Sequence, residues 1–170
     1  MKQLKLFLFL FLIFIFQGTV MMQIPVQRIW NHVQMVPNFL LVAILMIAFF
    51  AGPRSGVQYG ILFGFLVDLN YTSVIGVYAF SLGLTVYLIA SLSRLFNMNV
   101  VTTVLLSMAG VCLHQLIVYV IYSMIGVTGQ PFTDFLQWRL PATLILNSVF
   151  ALIIYYPFRR FLRSMSEYEE

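Results

Sequence analysis

The sequence predicts an all-α integral membrane protein, a compact bundle of six transmembrane helices with both termini on the inner side of the membrane. Of its 170 residues, 62% are hydrophobic and 8% are charged, against about 45–50% and about 25% in soluble domains. A soluble domain of this size exposes too much surface to be covered by so few polar residues. The apolar residues fall into six runs, and most basic residues lie at alternate ends of these runs.

The predicted helices cover residues 4–22, 37–51, 56–69, 74–92, 100–125 and 140–158 of one transmembrane domain, residues 1–170. The first run follows Lys2 and Lys5. Because it is long and no A-x-A-like cleavage site follows it, we interpret it as a retained anchor and not as a signal peptide. Residues 23–37 are expected to form a loop or an interfacial segment, and residues 126–139 a loop.

The second and third runs are short, because Gly52, Pro53 and Arg54 separate them. Each would give about 20 Å of helix, and the hydrocarbon core is about 30 Å thick. The helices could include flanking residues, the bilayer could thin locally, or the two runs could form a re-entrant hairpin. The hairpin is the least favourable arrangement, because moving Arg54 into the membrane costs about 2.5–3.5 kcal/mol or more.

Charge predicts the orientation of the bundle. With six crossings and the N-terminus inside, seven of the nine basic residues lie inside, namely Lys2, Lys5, Arg54, Arg94, Arg159, Arg160 and Arg163. Arg28 and Arg139 lie outside, near Asp68 and Asp134. This distribution follows the positive-inside rule, which five crossings would violate. The five inner arginines are therefore predicted to be basic anchors, and the last three could also attract anionic lipid at about 1 kcal/mol per charge.

Glycine recurs at every fourth position of the third run, at Gly56, Gly60 and Gly64, which we call the glycine stripe. On a helix these positions share one slowly drifting face. A face of glycines lets a neighbouring backbone approach closely, and such packing is a main source of helix association in lipid. The stripe is therefore predicted to contact either another helix of the same chain or the helix of a partner.

Three polar residues inside apolar runs are predicted to be buried. Asp68 continues the glycine stripe, and a carboxylate at membrane depth normally points into the bundle or a wet cavity. It could cap the next helix or the turn at residues 70–72, pair with an arginine on its own side, or bind a cation or proton. His114 and Gln115 are expected to form interhelical hydrogen bonds, with a ligand contact as the alternative.

The remaining polar residues do not indicate an enzyme. His32 and His114 lack metal-ligand spacing, and neither a G-x-S-x-G elbow nor a P-loop is present. Cys112, the single cysteine, is interpreted as a small buried hydrophobe. The sequence therefore predicts no cofactor, no metal and no nucleic-acid partner. It favours a binding or scaffold subunit in a lipid bilayer.

Residues 49–89 combine a basic loop at Arg54, the glycine stripe, Asp68 at the end of the third run, and Gly76-x-Tyr78 at the start of the fourth. In this combination the chain resembles the rod shape-determining protein MreD family. The length, the spacing of the six runs and the ending IYYPFRRFL at residues 154–162 are similar too.

The resemblance implies a non-enzymatic scaffold subunit of the cell-elongation (rod) machinery, which crosses the bacterial cytoplasmic membrane several times and supports cell shape and lateral peptidoglycan synthesis. The implied partners are MreC directly, RodA with a class B penicillin-binding transpeptidase, and MreB indirectly. The resemblance makes the transmembrane helix of MreC the candidate partner helix for the glycine stripe.

The family is also similar in fold to the S components of energy-coupling-factor vitamin transporters, so an S-component-like vitamin-binding subunit is the alternative. Its outer pocket could be formed by Trp30, Asn31, His32, Trp138 and Arg139. S components often carry a small-residue A-x-x-x-A stripe on the first helix. The first run here is rich in Leu and Phe and has small residues only near its end, which favours the scaffold.

Overall fold

The computed structural model describes residues 2–23 and 35–166, and this part of the chain is helical without any strand. The all-α prediction is therefore confirmed. The six main helices are α1 (Lys2–Gln23), α2 (Phe39–Phe50), α3 (Pro53–Tyr71), α4 (Val77–Ser93), α5 (Val100–Met124) and α6 (Leu140–Ser166). The residues Arg28, Trp30, Asn31 and His32, on which we placed an outer charge and part of an outer pocket, lie outside the described residues.

Helix α2 occupies the centre of the bundle. Every side chain from Phe39 to Ala48 is buried, and α2 contacts each of the other five helices. A helix that is apolar on all sides is suited to such a position, because it has no face that must meet water. The composition of this run, without one polar residue between Phe39 and Phe50, therefore reflects its central place.

The other five helices surround α2. Large aromatic side chains fill the interfaces of α1 with α3 and with α6. The ring centroid of Phe7 lies 5.4 Å from that of Phe63 in α3, and the ring centroid of Phe9 lies 4.8 Å from that of Phe158 in α6. Contacts of α3 with α4, α4 with α5 and α5 with α6 complete the ring. The Phe-rich composition of α1 thus supplies bulky packing between two neighbours.

Helix α3 is longer than its apolar run. It begins at Pro53, directly after Gly52, whose φ of 112° is a conformation that glycine adopts readily and L side chains avoid. Its 19 residues give about 28 Å of helix. Helix α2 remains short, with 12 residues and about 18 Å.

The segment 126–139, expected to be a loop, is helical from Phe132 onward. A single turn, Phe132–Asp134, and a π-helical turn, Phe135–Arg139, lead without a break into α6. Phe135 is fully buried and stacks on Tyr119 of α5 at 4.5 Å. The loop prediction was wrong from this point because it relied on Gly129, Pro131 and polar residues and missed the burial of an aromatic side chain.

Helix α6 also continues beyond the predicted end at residue 158, as far as Ser166. Leu162 is buried in this extension, and arginine and leucine are good helix formers. The apolar pattern therefore continues through the basic residues at which the sequence predicts the helix to end.

The two ends of the bundle differ in charge. The helices alternate in direction and most of the arginines occur at alternate connections along the sequence, so these arginines meet at one end. Arg54, Arg94, Arg159, Arg160 and Arg163 all lie at the end where α1 begins, which we call the basic end. Asp68 and Asp134 lie at the opposite end. Among the residues that the structure describes, two helical segments, Val100–Met124 and Phe132–Ser164, are long and apolar enough to cross a membrane. Gln3–Thr19, Phe39–Phe50 and Val77–Ser93 are apolar but shorter. Six crossings remain a prediction.

Candidate functional site

The glycine stripe lies on the buried face of α3 and is covered by two helices of the same chain. A Cβ atom added at Gly56 would collide with Ala48 of α2. One added at Gly64 would lie only 2.6 Å from the Cα of Ala79 and 2.6 Å from the main-chain oxygen of Tyr78, both in α4. The glycines at these two positions therefore allow backbones to approach to distances that no side chain would permit.

Gly60 is packed less closely than the other two glycines of the stripe. A Cβ atom there would lie 3.5 Å from the main-chain oxygen of Leu82 and 3.5 Å from a methyl carbon of Val86, which are ordinary van der Waals distances. All three glycines nevertheless face helices of this chain. The stripe thus packs within the chain, against α2 and α4, which is the first of the two alternatives that its spacing allows.

The carboxylate of Asp68 is buried, with 1% of its surface exposed, and it accepts hydrogen bonds from the first turn of α4. Its Oδ1 accepts from the main-chain N–H of Tyr78 at 2.9 Å. Its Oδ2 accepts from the N–H groups of Gly76 and Ala79, each at 3.0 Å. A negative charge at a helix N-terminus satisfies donors that have no partner within the helix and interacts favourably with the helix dipole.

Local sequence explains how one residue of α3 reaches the start of α4. The chain turns through residues 72–76, where the Thr72 hydroxyl donates to the main-chain oxygen of Val74 at 2.9 Å and Gly76 has a φ of 100°. Gly64 lies one helical turn before Asp68 and makes the room in which the first turn of α4 packs. Gly64, Asp68 and Gly76 thus form one unit that joins α3 to α4, which we call the α3–α4 lock.

A second polar cluster lies beside the lock, between α4, α5 and the π-helical turn. The ring of His114 meets that of Tyr78 edge-on at 5.4 Å, and His114 is buried. Arg139 donates to the side-chain oxygen of Gln115 at 3.4 Å and to that of Gln130 at 3.3 Å. The Gln115 side chain therefore makes the kind of bond across helices that polar residues form in membrane proteins. The same expectation is not met at the Nδ1 of His114, which is buried and has no hydrogen-bond partner among the described residues.

Sequence reasoning missed a polar network at the start of α2. Asn147 of α6 accepts a hydrogen bond from the main-chain N–H of Asn38 at 2.7 Å and donates to the oxygen of Val36 at 3.1 Å. Gln17 of α1 accepts from the N–H of Leu40 at 3.0 Å. These side chains satisfy donors at the N-terminus of the central helix, where water has little access. The asparagine in the sixth apolar run was the feature that could have revealed the network.

Replacing Asn147 with leucine is expected to destabilise the protein by about 1–3 kcal/mol, because the buried N–H of Asn38 loses its acceptor. The adjacent Ser148→Ala is the matched control, since the Ser148 hydroxyl bonds only within its own helix, to Leu144 at 2.7 Å. It should change stability by less than about 0.5 kcal/mol. Apparent melting temperatures of the purified proteins in mild detergent measure both effects, and equal melting temperatures would contradict a role for Asn147 in holding α2.

At the basic end, Arg159 is held by aromatic side chains. Its guanidinium lies 5.3 Å from the ring centroid of Phe50 and 5.4 Å from that of Tyr155, and it donates to the Tyr155 hydroxyl. Tyr156, Arg159, Arg160, Arg163 and Ser164 line a cleft of about 490 Å³ on this side of α6. Arg54 in the first turn of α3 and Arg94 directly after α4 lie exposed at the same end.

A family model described as rod shape-determining protein MreD matches residues 2–165 of the chain. The chain belongs to the MreD family. The rod shape-determining protein MreD of Bacillus subtilis (strain 168) is 33% identical to it over 133 residues, which cover 78% of this chain and 77% of that protein. No solved structure was found to match.

Membership of the MreD family confirms the family that the motifs of residues 49–89 indicated. It supports a role in determining rod shape. MreD proteins are bacterial membrane proteins, which agrees with the two segments in the described part of the chain that are apolar and long enough to cross a membrane. The family is known for determining cell shape and is not a known enzyme family.

Proposed function

We propose that this protein is a non-enzymatic scaffold subunit of the bacterial rod machinery, which supports cell shape and lateral peptidoglycan synthesis from within the cytoplasmic membrane. Its proposed partners are MreC, by direct contact, and RodA with its class B penicillin-binding transpeptidase. MreB is linked indirectly. The observation that carries this proposal is the match of the MreD family model to residues 2–165.

We further propose six crossings, with the basic end inside. The collection of Arg54, Arg94 and the three arginines of α6 at one end supports this orientation through the positive-inside rule. The short α2 is compatible with it, because five helices shield α2 from lipid and Asn147 and Gln17 bond its first N–H groups. A central helix can therefore be shorter than the hydrocarbon core without exposing its backbone to lipid.

A scaffold must keep its outer surfaces in a fixed relation to one another. Three features would hold the helices in fixed positions relative to one another: the α3–α4 lock, the packing of the glycine stripe against α2 and α4, and the hydrogen bonds between α6 and the start of α2. Partner helices would then contact outward faces of α1 and α3–α6, since the stripe and α2 lie inside. The fold would fix the position of MreC and the synthase relative to the membrane.

Purification of the tagged full-length protein from its native membrane in mild detergent, followed by mass spectrometry, tests the scaffold role. We expect MreC and the RodA–transpeptidase pair to be enriched over a control preparation of an unrelated tagged membrane protein of similar size. Enrichment of transporter ATPases and a coupling subunit would instead identify an S-component-like vitamin-binding protein. Recovery of a folded protein with neither set would contradict the scaffold proposal.

A further inference from the structure

The cleft of about 490 Å³ at the end of α6 is lined by three arginines and two residues with hydroxyl groups, namely Tyr156, Arg159, Arg160, Arg163 and Ser164. These residues recur at spacings of three and four, so they share one side of the helix. Guanidinium groups bind phosphate oxygens through paired N–H donors, and hydroxyl groups add further donors. The chemistry of the cleft is therefore that of a site for a phosphate ester.

Arg159 is fixed in place before any ligand binds. The rings of Phe50 and Tyr155 lie within 5.4 Å of its guanidinium, and the Tyr155 hydroxyl accepts one of its hydrogen bonds. A long basic side chain on a surface normally loses rotamer freedom when it binds an anion, and that loss weakens binding. Because Arg159 is already ordered, this cost is reduced at the cleft.

The surface of α6 leading to the cleft is apolar. Val149, Leu152, Ile153 and Tyr156 are each at least half exposed, and they lie on the same side of the helix as Arg160 and Ser164. An apolar strip that ends in a cationic cleft matches an amphiphile with an anionic head and acyl chains. A free inorganic anion would use only the cleft.

We propose that the cleft of α6 is a specific site for the headgroup of an anionic phospholipid, whose acyl chains lie along the exposed apolar strip of the same helix. The phosphate accepts hydrogen bonds from Arg160, Arg163 and the preordered Arg159. This inference does not depend on the rod machinery and concerns the protein as a membrane-embedded chain.

Native mass spectrometry of the full-length protein in mild detergent tests the site, with phosphatidylglycerol, phosphatidylcholine and inorganic phosphate as probes. We expect phosphatidylglycerol to bind at least about tenfold more tightly than phosphatidylcholine, as charge-assisted hydrogen bonds to one phosphate headgroup allow. Equal binding of the two lipids would overturn the proposal. Binding of inorganic phosphate as tight as that of phosphatidylglycerol would overturn its lipid part and leave a plain anion site.

A matched pair of variants separates a built site from general attraction of charge. The double variant Arg160→Gln, Arg163→Gln and the double variant Arg54→Gln, Arg94→Gln remove the same charge from exposed positions at the same end. General attraction gives about 1 kcal/mol per basic residue anywhere near the surface, about fivefold in affinity. We expect the α6 pair to lose phosphatidylglycerol binding by at least tenfold more than the Arg54 and Arg94 pair. An equal loss in both would overturn the site.

Discussion

Gly64→Ala is expected to destabilise the protein by about 3 kcal/mol or more, because the added methyl group meets backbone and not a flexible side chain. Its carbon would lie 2.6 Å from the Cα of Ala79, 2.6 Å from the oxygen of Tyr78 and 2.8 Å from the nitrogen of Ala79. These atoms belong to the first turn of α4, which Asp68 holds by hydrogen bonds. Relief of the collision therefore requires the first turn of α4 to move away from its cap.

Gly60→Ala is the matched control, one helical turn away in the same stripe. The added methyl group there makes ordinary contacts at 3.5–3.6 Å, and alanine favours a helix over glycine by about 1 kcal/mol. We expect its stability to lie between the wild-type value and about 1 kcal/mol above it. The two substitutions are chemically identical, so the difference between them isolates the close approach of α4.

The measurement is the yield of monodisperse protein and its apparent melting temperature in mild detergent. About 3 kcal/mol corresponds to a decrease of roughly 6–12 °C in a chain of this length. If Gly64→Ala melts at the wild-type temperature, α4 does not pack on the glycine stripe as described. If Gly60→Ala is damaged to the same extent, the distances at Gly64 are not the cause.

The apolar runs made the helices of this chain predictable, and the four-residue period marked the glycine stripe as a contact face. The partner of that face was not predictable. Periodicity shows which side of a helix is packed, but the identity of the neighbour depends on how the whole bundle closes. Only the structure places Ala48 and Ala79 against Gly56 and Gly64.

The central position of α2 shows a similar limit. Its run is short and uniformly apolar, and the sequence left open whether the helix includes flanking residues, lies in a locally thinner bilayer or forms a re-entrant hairpin with the next run. In the structure α2 is apolar on all sides because five other helices surround it. Its polar bonds come from Gln17 and Asn147, residues far away in sequence. Local patterns carry no information about such distant pairing.

For Asp68 the sequence left capping, pairing with an arginine and ion binding open. Local turn chemistry pointed to the backbone of residues 70–72, whereas the carboxylate bonds N–H groups eight to eleven residues later. The Asp68 carboxylate can contact these N–H groups because Gly64 has no side chain and lets the first turn of α4 pack closely against α3. The position of Asp68 in the sequence therefore indicated that it is a buried polar residue. Its hydrogen-bond donors became known only from the tertiary packing.

Asp68→Asn is expected to destabilise the protein by about 2–4 kcal/mol, because the asparagine amide cannot satisfy all three donors of the α4 cap. If its NH₂ group takes the place of Oδ1, the N–H of Tyr78 faces another donor. If the NH₂ group takes the place of Oδ2, the N–H groups of Gly76 and Ala79 both lose their acceptor. Either orientation also removes the negative charge from the helix N-terminus.

Asp134→Asn is the control for the charge itself, because it removes a carboxylate from an exposed position at the same end of the bundle. It should change stability by less than about 0.5 kcal/mol. Apparent melting temperatures in mild detergent compare the two variants at equal net charge. A wild-type melting temperature for Asp68→Asn would mean that the cap contributes little to stability. A loss confined to Asp68→Asn shows that the bonds to α4, and not the charge of this end, hold α3 and α4 together.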